Sequence, residues 1–98
     1  MKNKLLIIGS GGLAKSILAS ISKNNINQAV GFIDEYKKKG EKINDLKVIG
    51  KIKDIRNFVK NKEVNSFIIG IGDNFLRKSI YKQIMSLKLK NFKPIYHR

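Results

Sequence analysis

Cysteine and tryptophan are absent from this chain, proline and histidine occur once each, and acidic residues number 7 against 21 basic ones. Without cysteine there is no disulfide framework, thiol nucleophile or thiolate metal site, and the redox compartment stays open. The lone histidine, His97, is the penultimate residue, the position of an unanchored tail. No Ser/His/Asp set, no metal-spaced histidine or carboxylate cluster and no hydride-relay acid can be assembled from what remains, so the residues favour binding over transformation. Long apolar runs are missing too. No stretch approaches the ~18–20 residues that span a bilayer, and the basic N-terminus lacks a signal-type apolar core, so a cytoplasmic location without a membrane partner is expected.

What is present suits one folded domain over residues 1–98, with 42% hydrophobic residues and enough length for a modest core. The formal charge of +14 and the pI near 10.2 invite nucleic acid as a partner. However, the basic residues are 18 Lys and 3 Arg scattered along the chain, the only run is Lys37–Lys39, and aromatics are not interleaved with them. Nucleic acid is therefore the least favoured of three readings.

The organising stretch is KLLIIGSGGLAKS, Lys4 to Ser16. Leu5 to Ile8 is a continuous apolar run, as in a strand buried on both faces of a parallel sheet. Gly9, Gly11 and Ala14 then follow the G-x-G-x-x-G/A spacing, with Ser10 and Gly12 inside the turn. Small residues there permit a sharp turn, close approach of a phosphate and tight helix-to-strand contact, and the helix start that follows offers unpaired N–H groups to an anion.

Leu13, Ile17 and Ile21 set the stripe of a first helix that ends near Lys23-Asn24-Asn25, and Gln28 to Ile33 reads as a second strand closing on Asp34-Glu35. Leu46 to Ile49 is a third strand, entered from the Asn44-Asp45 turn, and Ile52 to Asn61 a second helix. Asn65 to Ile71 is a central fourth strand. Gly72-Asp73-Asn74 opens a third helix, capped by Asp73 or Asn74 and striped by Leu76, Ile80, Ile84 and Leu87. A last short strand spans Asn91 to Tyr96, with Pro94 marking a sheet edge. Strands alternating with helices predict an α/β fold, a Rossmann-like three-layer doubly wound, mainly parallel sheet.

Ligands of such sheets bind beyond the carboxyl ends of the strands. Gly9 to Gly12, Asp34-Glu35 and Gly70 to Asn74 all fall there. Asp34 stands where a carboxylate accepts hydrogen bonds from ribose hydroxyls, Gly72 lets a ligand lie against the backbone, Asn74 adds an amide, and Arg77 is placed to reach a phosphate. The paired acids Asp34 and Glu35 favour NAD over NADP if a dinucleotide binds. An NAD-binding or redox-sensing module is thus the second reading.

These segments resemble the N-terminal domain of bacterial nucleotide-sugar acetyltransferases of the PglD/NeuD type, from sialic-acid and bacillosamine pathways. The resemblance runs along GSGGLAK (Gly9 to Lys15), GFIDE (Gly31 to Glu35), VIG (Val48 to Gly50), GIGDNFLRKSIY (Gly70 to Tyr81) and NFKPIYH. It implies a nucleotide-sugar held by the glycine turn, Asp34-Glu35 and the Gly72 to Asn74 turn. It also implies that acetyl-CoA and the catalytic histidine belong to a left-handed β-helix, absent from this sequence. The expectation is then the substrate-holding half of an acetyltransferase, binding no cofactor itself and partnered by a β-helix domain or by itself. Leu13 and Ala14 stand where the family commonly has His and Gly; Leu13 removes a polar group, whereas Ala14 keeps the small-residue requirement.

Overall fold

Leu5, Leu6, Ile7 and Ile8 are at most 1% exposed, which places the first strand in the middle of the molecule. The computed structural model describes residues 3–23 and 26–96, so the expected tail at His97 lies outside the described residues. The strand β1 (Asn3–Ile8) pairs in parallel with β2 (Asn27–Ile33) on one side and β5 (Ser66–Ile69) on the other. Strand β4 (Leu46–Gly50) extends the sheet beyond β2, again in parallel, and β6 (Lys93–Pro94) extends it beyond β5. A two-residue strand β3 (Lys42–Ile43) closes the far edge antiparallel to β4, giving the order β3-β4-β2-β1-β5-β6.

Three helices cover the sheet. Helix α1 (Gly12–Ile21) buries Ala14, Ile17 and Ile21 with Leu5, Ile7, Phe32 and Ile68 on one face. On the other face α2 (Ile55–Lys60) and α3 (Asn74–Ser86) bury Ile55, Ile80 and Ile84 with Leu6, Ile8, Ile33 and Phe67. Side chains alternate between faces along β1, so one apolar run supplies both cores, at ~1.5–3 kcal/mol for each large residue buried. The result is the expected three-layer, Rossmann-like α/β fold. Chain direction across the sheet reverses between β1 and β5, because β1 leads through α1 to β2 while β4 returns through α2 to β5. That switch point opens a crevice beyond the strand ends.

The local differences from expectation have physical causes. The Asn44-Asp45 turn is a hairpin with φ of 49° and 68°, and its first arm is too short to leave a strand pattern in the sequence. The second helix begins as a 3₁₀ turn (Ile52–Asp54), where the Asp54 carboxylate accepts the Lys51 N–H at 2.8 Å. The last strand shrinks to two residues at the sheet edge, as Pro94 implies, and is anchored by Phe92 stacked on Phe67 with ring centroids 5.0 Å apart.

Candidate functional site

The ladder of β1 runs to the rim on both sides, with Gly9 N–H donating to Ile33 O at 2.7 Å and Gly70 N–H to Ile8 O at 2.8 Å. Beyond that point the chain must turn in a confined space, and glycine makes it possible. Gly9 has φ +93°, and a Cβ there would lie 2.8 Å from Ile71 Cγ1. A Cβ on Gly70 would lie 2.8 Å from Ala14 Cα, so the third small residue of the spacing packs the start of α1 onto the end of β5. Gly11 and Gly12 are different: a Cβ at either would meet nothing within 4 Å. Their backbones face open space.

That space is a groove of about 420 Å³ lined by Gly9 to Leu13, Asp34 to Tyr36, Ile52, Gly70 to Gly72, Leu76, Ile80 and Gln83 over a floor of Ile8 and Ile33. Three chain segments predicted from sequence therefore meet at one groove: the glycine turn, Asp34-Glu35 and the turn up to Gly72. The remaining predicted residues sit elsewhere. Asp73 caps α3, accepting the Leu76 N–H at 2.8 Å, and Asn74 begins the helix, where its Oδ1 accepts from the Arg77 guanidinium. Arg77 lines a neighbouring groove with Leu13, Tyr81 and Tyr96 instead. The reason is helical phase: Leu76, Ile80 and Gln83 share one face of α3, and Arg77 is a residue step of about 100° round from Leu76.

Four carboxylates stand at this end of the sheet, and each accepts a backbone N–H. Glu35 takes Ile52 N–H at 2.8 Å, Asp54 takes Lys51 and Asp73 takes Leu76. Asp34 does most. Its Oδ1 accepts from the N–H groups of Tyr36 at 2.9 Å and Lys37 at 3.1 Å, and its Oδ2 accepts from the Ser10 hydroxyl at 2.5 Å. Three of about four acceptor positions on the carboxylate are thus filled, leaving one for a ligand. Ser10 is 1% exposed, so this bond ties the glycine turn to the end of β2. Burial pushes the Asp34 carboxyl up, but the bonds from Ser10, Tyr36 and Lys37 and the Lys37 ammonium outweigh it and hold the group below its ordinary value of 3.8. Lys37 Nζ also lies 3.3 Å from the Ser10 carbonyl, placing a cation beside the turn.

The start of α1 presents the opposite case. Its N-cap is Gly11, which contributes no side-chain cap, and no acidic residue occupies the first turn. The orphan N–H groups there, with the positive end of the helix dipole, face the groove beside two glycines. An anion fits that position chemically. Sequence reasoning did not single out Tyr36, Ile52, Ile71, Lys37 or Gln83; the helical spacing of Leu76, Ile80 and Gln83 carried a signal for the last.

Comparison with known proteins agrees with this fold. The family model described as the PglD N-terminal domain matches residues 4–84. A mutant of perosamine N-acetyltransferase from Caulobacter crescentus, solved with CoA and GDP-perosamine, is 20% identical with a TM-score of 0.73, over 85% of this chain and 38% of that one. The acetyltransferase domain of PglB from Neisseria gonorrhoeae, solved with acetyl coenzyme A, is 25% identical with a TM-score of 0.66, over 92% and 42%. UDP-D-quinovosamine 4-dehydrogenase from Vibrio fischeri is 17% identical with a TM-score of 0.76, over 100% and 80%. The chain spans less than half the length of the two acetyltransferases. No curated protein matches it.

Proposed function

The chain belongs to the PglD N-terminal domain family, and from that premise we propose that it holds a nucleotide-sugar as the substrate-binding part of a sugar acetyltransferase. The diphosphate sits against the N–H groups at the start of α1, between Gly11, Gly12 and the Lys37 ammonium. The ribose lies toward Asp34, whose one open acceptor position takes a hydroxyl. The observation that carries this reading is the uncapped start of α1 on a rim whose other acids are all committed to backbone N–H groups. Phosphate repels carboxylates, and here the carboxylates are neutralised by donors while the one open donor cluster faces the groove.

Acyl transfer is assigned to a different part of the assembly. The two carboxylates that line the groove, Asp34 and Glu35, are engaged by backbone donors and so poorly placed to take a proton from an amine or hydroxyl. Thermal-shift measurements test the reading directly. A ligand at 100 times its dissociation constant adds about 2.7 kcal/mol of stability. UDP- or GDP-sugars are expected to raise the melting temperature; a rise with NAD but not with nucleotide-sugars would replace this reading with the dinucleotide one.

A further inference from the structure

The end of the sheet opposite the glycine turn is marked by charge. At the amino ends of β1 and β5 a second concavity, of about 980 Å³, is bordered by Lys4, Arg56, Lys60, Lys62 and Lys90. All five are exposed. None of the chain's 7 acidic residues belongs to the lining, not even Glu63, which stands between the lining residues Lys62 and Val64. Arg56 donates to the Leu87 carbonyl at 3.4 Å, at the end of α3, while among the described residues no ion pair or hydrogen bond engages the four ammonium groups. A lysine near the carboxyl end of α2 complements the helix dipole, which explains Lys60 or Lys62. It does not explain Lys4 and Lys90, which come from β1 and from the loop after α3 and strengthen the same positive field. Between the cations lies apolar surface: Val64 is 3% exposed, and Val59 and Leu89 are half-buried against the same core. Arg56, Val59 and Lys60 follow i, i+3, i+4 spacing, so α2 lends the concavity one mixed cationic and apolar face.

We propose that this concavity is an interaction surface for an acidic, amphipathic segment of a partner protein. The segment's apolar side chains lie on Val59, Val64 and Leu89, and its carboxylates meet the surrounding ammonium groups. Charge selects the sign of the partner, and the apolar floor selects its kind. A second copy of this chain, at +14, would bring like charges together. A nucleic-acid strand would offer phosphates to the rim, but no aromatic residue lines the concavity to stack its bases, and its backbone has nothing apolar to set against the valines. An amphipathic segment meets both requirements, as in the recognition of a helix by a groove. The inference does not depend on the nucleotide-sugar reading, since the two grooves share no lining residue.

Fluorescence anisotropy with the whole chain tests this, using three labelled probes matched in charge. They are a peptide of glutamates and leucines spaced for an amphipathic helix, the same peptide with serine in place of leucine, and an oligouridylate. The protein variants are Lys60→Glu with Lys90→Glu and, as a control for net charge, Lys38→Glu with Lys47→Glu, both exposed lysines outside the concavity. The leucine peptide is expected to bind wild type about tenfold or more tighter than either other probe. Reversing Lys60 and Lys90 should weaken it by about tenfold, and the control pair by less than about threefold. Two-dimensional ¹H–¹⁵N spectra of wild type should place the peptide's shifts at Val59, Val64 and Leu89, a readout that needs no variant to fold. Equal effects of the two variant pairs, equal binding of the serine peptide, tighter binding of the oligouridylate, or no binding of the leucine peptide at low salt would each overturn the inference.

Discussion

Replacing Asp34 by alanine should destabilise the protein markedly, even though a half-exposed loop acid near a ligand site would ordinarily be dispensable for folding. The cost follows from what the carboxylate holds. Its loss leaves the Ser10 hydroxyl, 1% exposed, without an acceptor, at ~1–3 kcal/mol for an orphaned buried polar group. The N–H groups of Tyr36 and Lys37 lose their acceptor as well, at ~0.5–1 kcal/mol each after water replaces it. The sum is roughly 2–5 kcal/mol, from a domain whose whole stability is expected in the range of about 5–15 kcal/mol. For a chain of this size the melting temperature should fall by roughly 8–40 °C, read by circular dichroism. Glu35→Ala, which removes a single bond to the Ile52 N–H, should cost only ~0.5–1.5 kcal/mol and serves as the comparison. The effect should also depend on pH in a defined direction. A carboxyl whose folded pKa lies below its ordinary 3.8 stabilises the fold fully above that value and loses the contribution as pH falls through the lower folded pKa. The gap between wild type and Asp34→Asn should therefore be widest near neutrality and close below about pH 3.8. An Asp34→Ala protein melting within about 3 °C of wild type at pH 7 would refute the structural role.

Three further substitutions separate fold from site. A Cβ at Gly11 would meet nothing within 4 Å and φ at this position is −85°, so Gly11→Val should change stability by no more than ~1 kcal/mol while nucleotide binding by calorimetry is lost to the added bulk at the phosphate seat. Gly70→Ala should do the reverse in cause, forcing α1 off β5 where its Cβ would lie 2.8 Å from Ala14 Cα, and urea denaturation should report a loss of ~1–3 kcal/mol. Arg77→Ala should leave nucleotide affinity unchanged in the same titration, because the guanidinium lines the neighbouring groove; a tenfold loss would return Arg77 to the phosphate site.

The sheet and the meeting of the glycine turn with Asp34-Glu35 at one edge were legible because they rest on strong local signals. The run Leu5 to Ile8 could only be a strand buried on both faces, and the small residues at 9, 11 and 14 could only be a tight strand-to-helix turn if that strand was central. A cap for α3 at Asp73 or Asn74 followed from their place before an apolar stripe, and the structure assigns it to Asp73. What escaped the sequence depends on contacts between segments far apart in the chain. Nothing near Asp34 announces that Ser10, 24 residues earlier, would donate to it, so a carboxylate read as free for ribose is largely occupied. Strand β3 escaped because two residues carry no periodicity, although the Asn44-Asp45 turn that follows it was visible. Arg77 was read from its place along the chain as able to reach a phosphate, and its angle round α3 sets it in the neighbouring groove with Tyr81 and Tyr96.

The most direct measurement is a two-dimensional ¹H–¹⁵N titration of the chain with a nucleotide-sugar. Amide shifts should concentrate on Gly9 to Leu13, with the next largest at Asp34 to Tyr36 and at Ile71, Leu76 and the Gln83 side chain, all of which line one groove. Shifts that saturate around Arg77, Tyr81 and Tyr96 instead, or their absence at millimolar ligand while the protein stays folded, would contradict the assignment of that groove to a nucleotide-sugar.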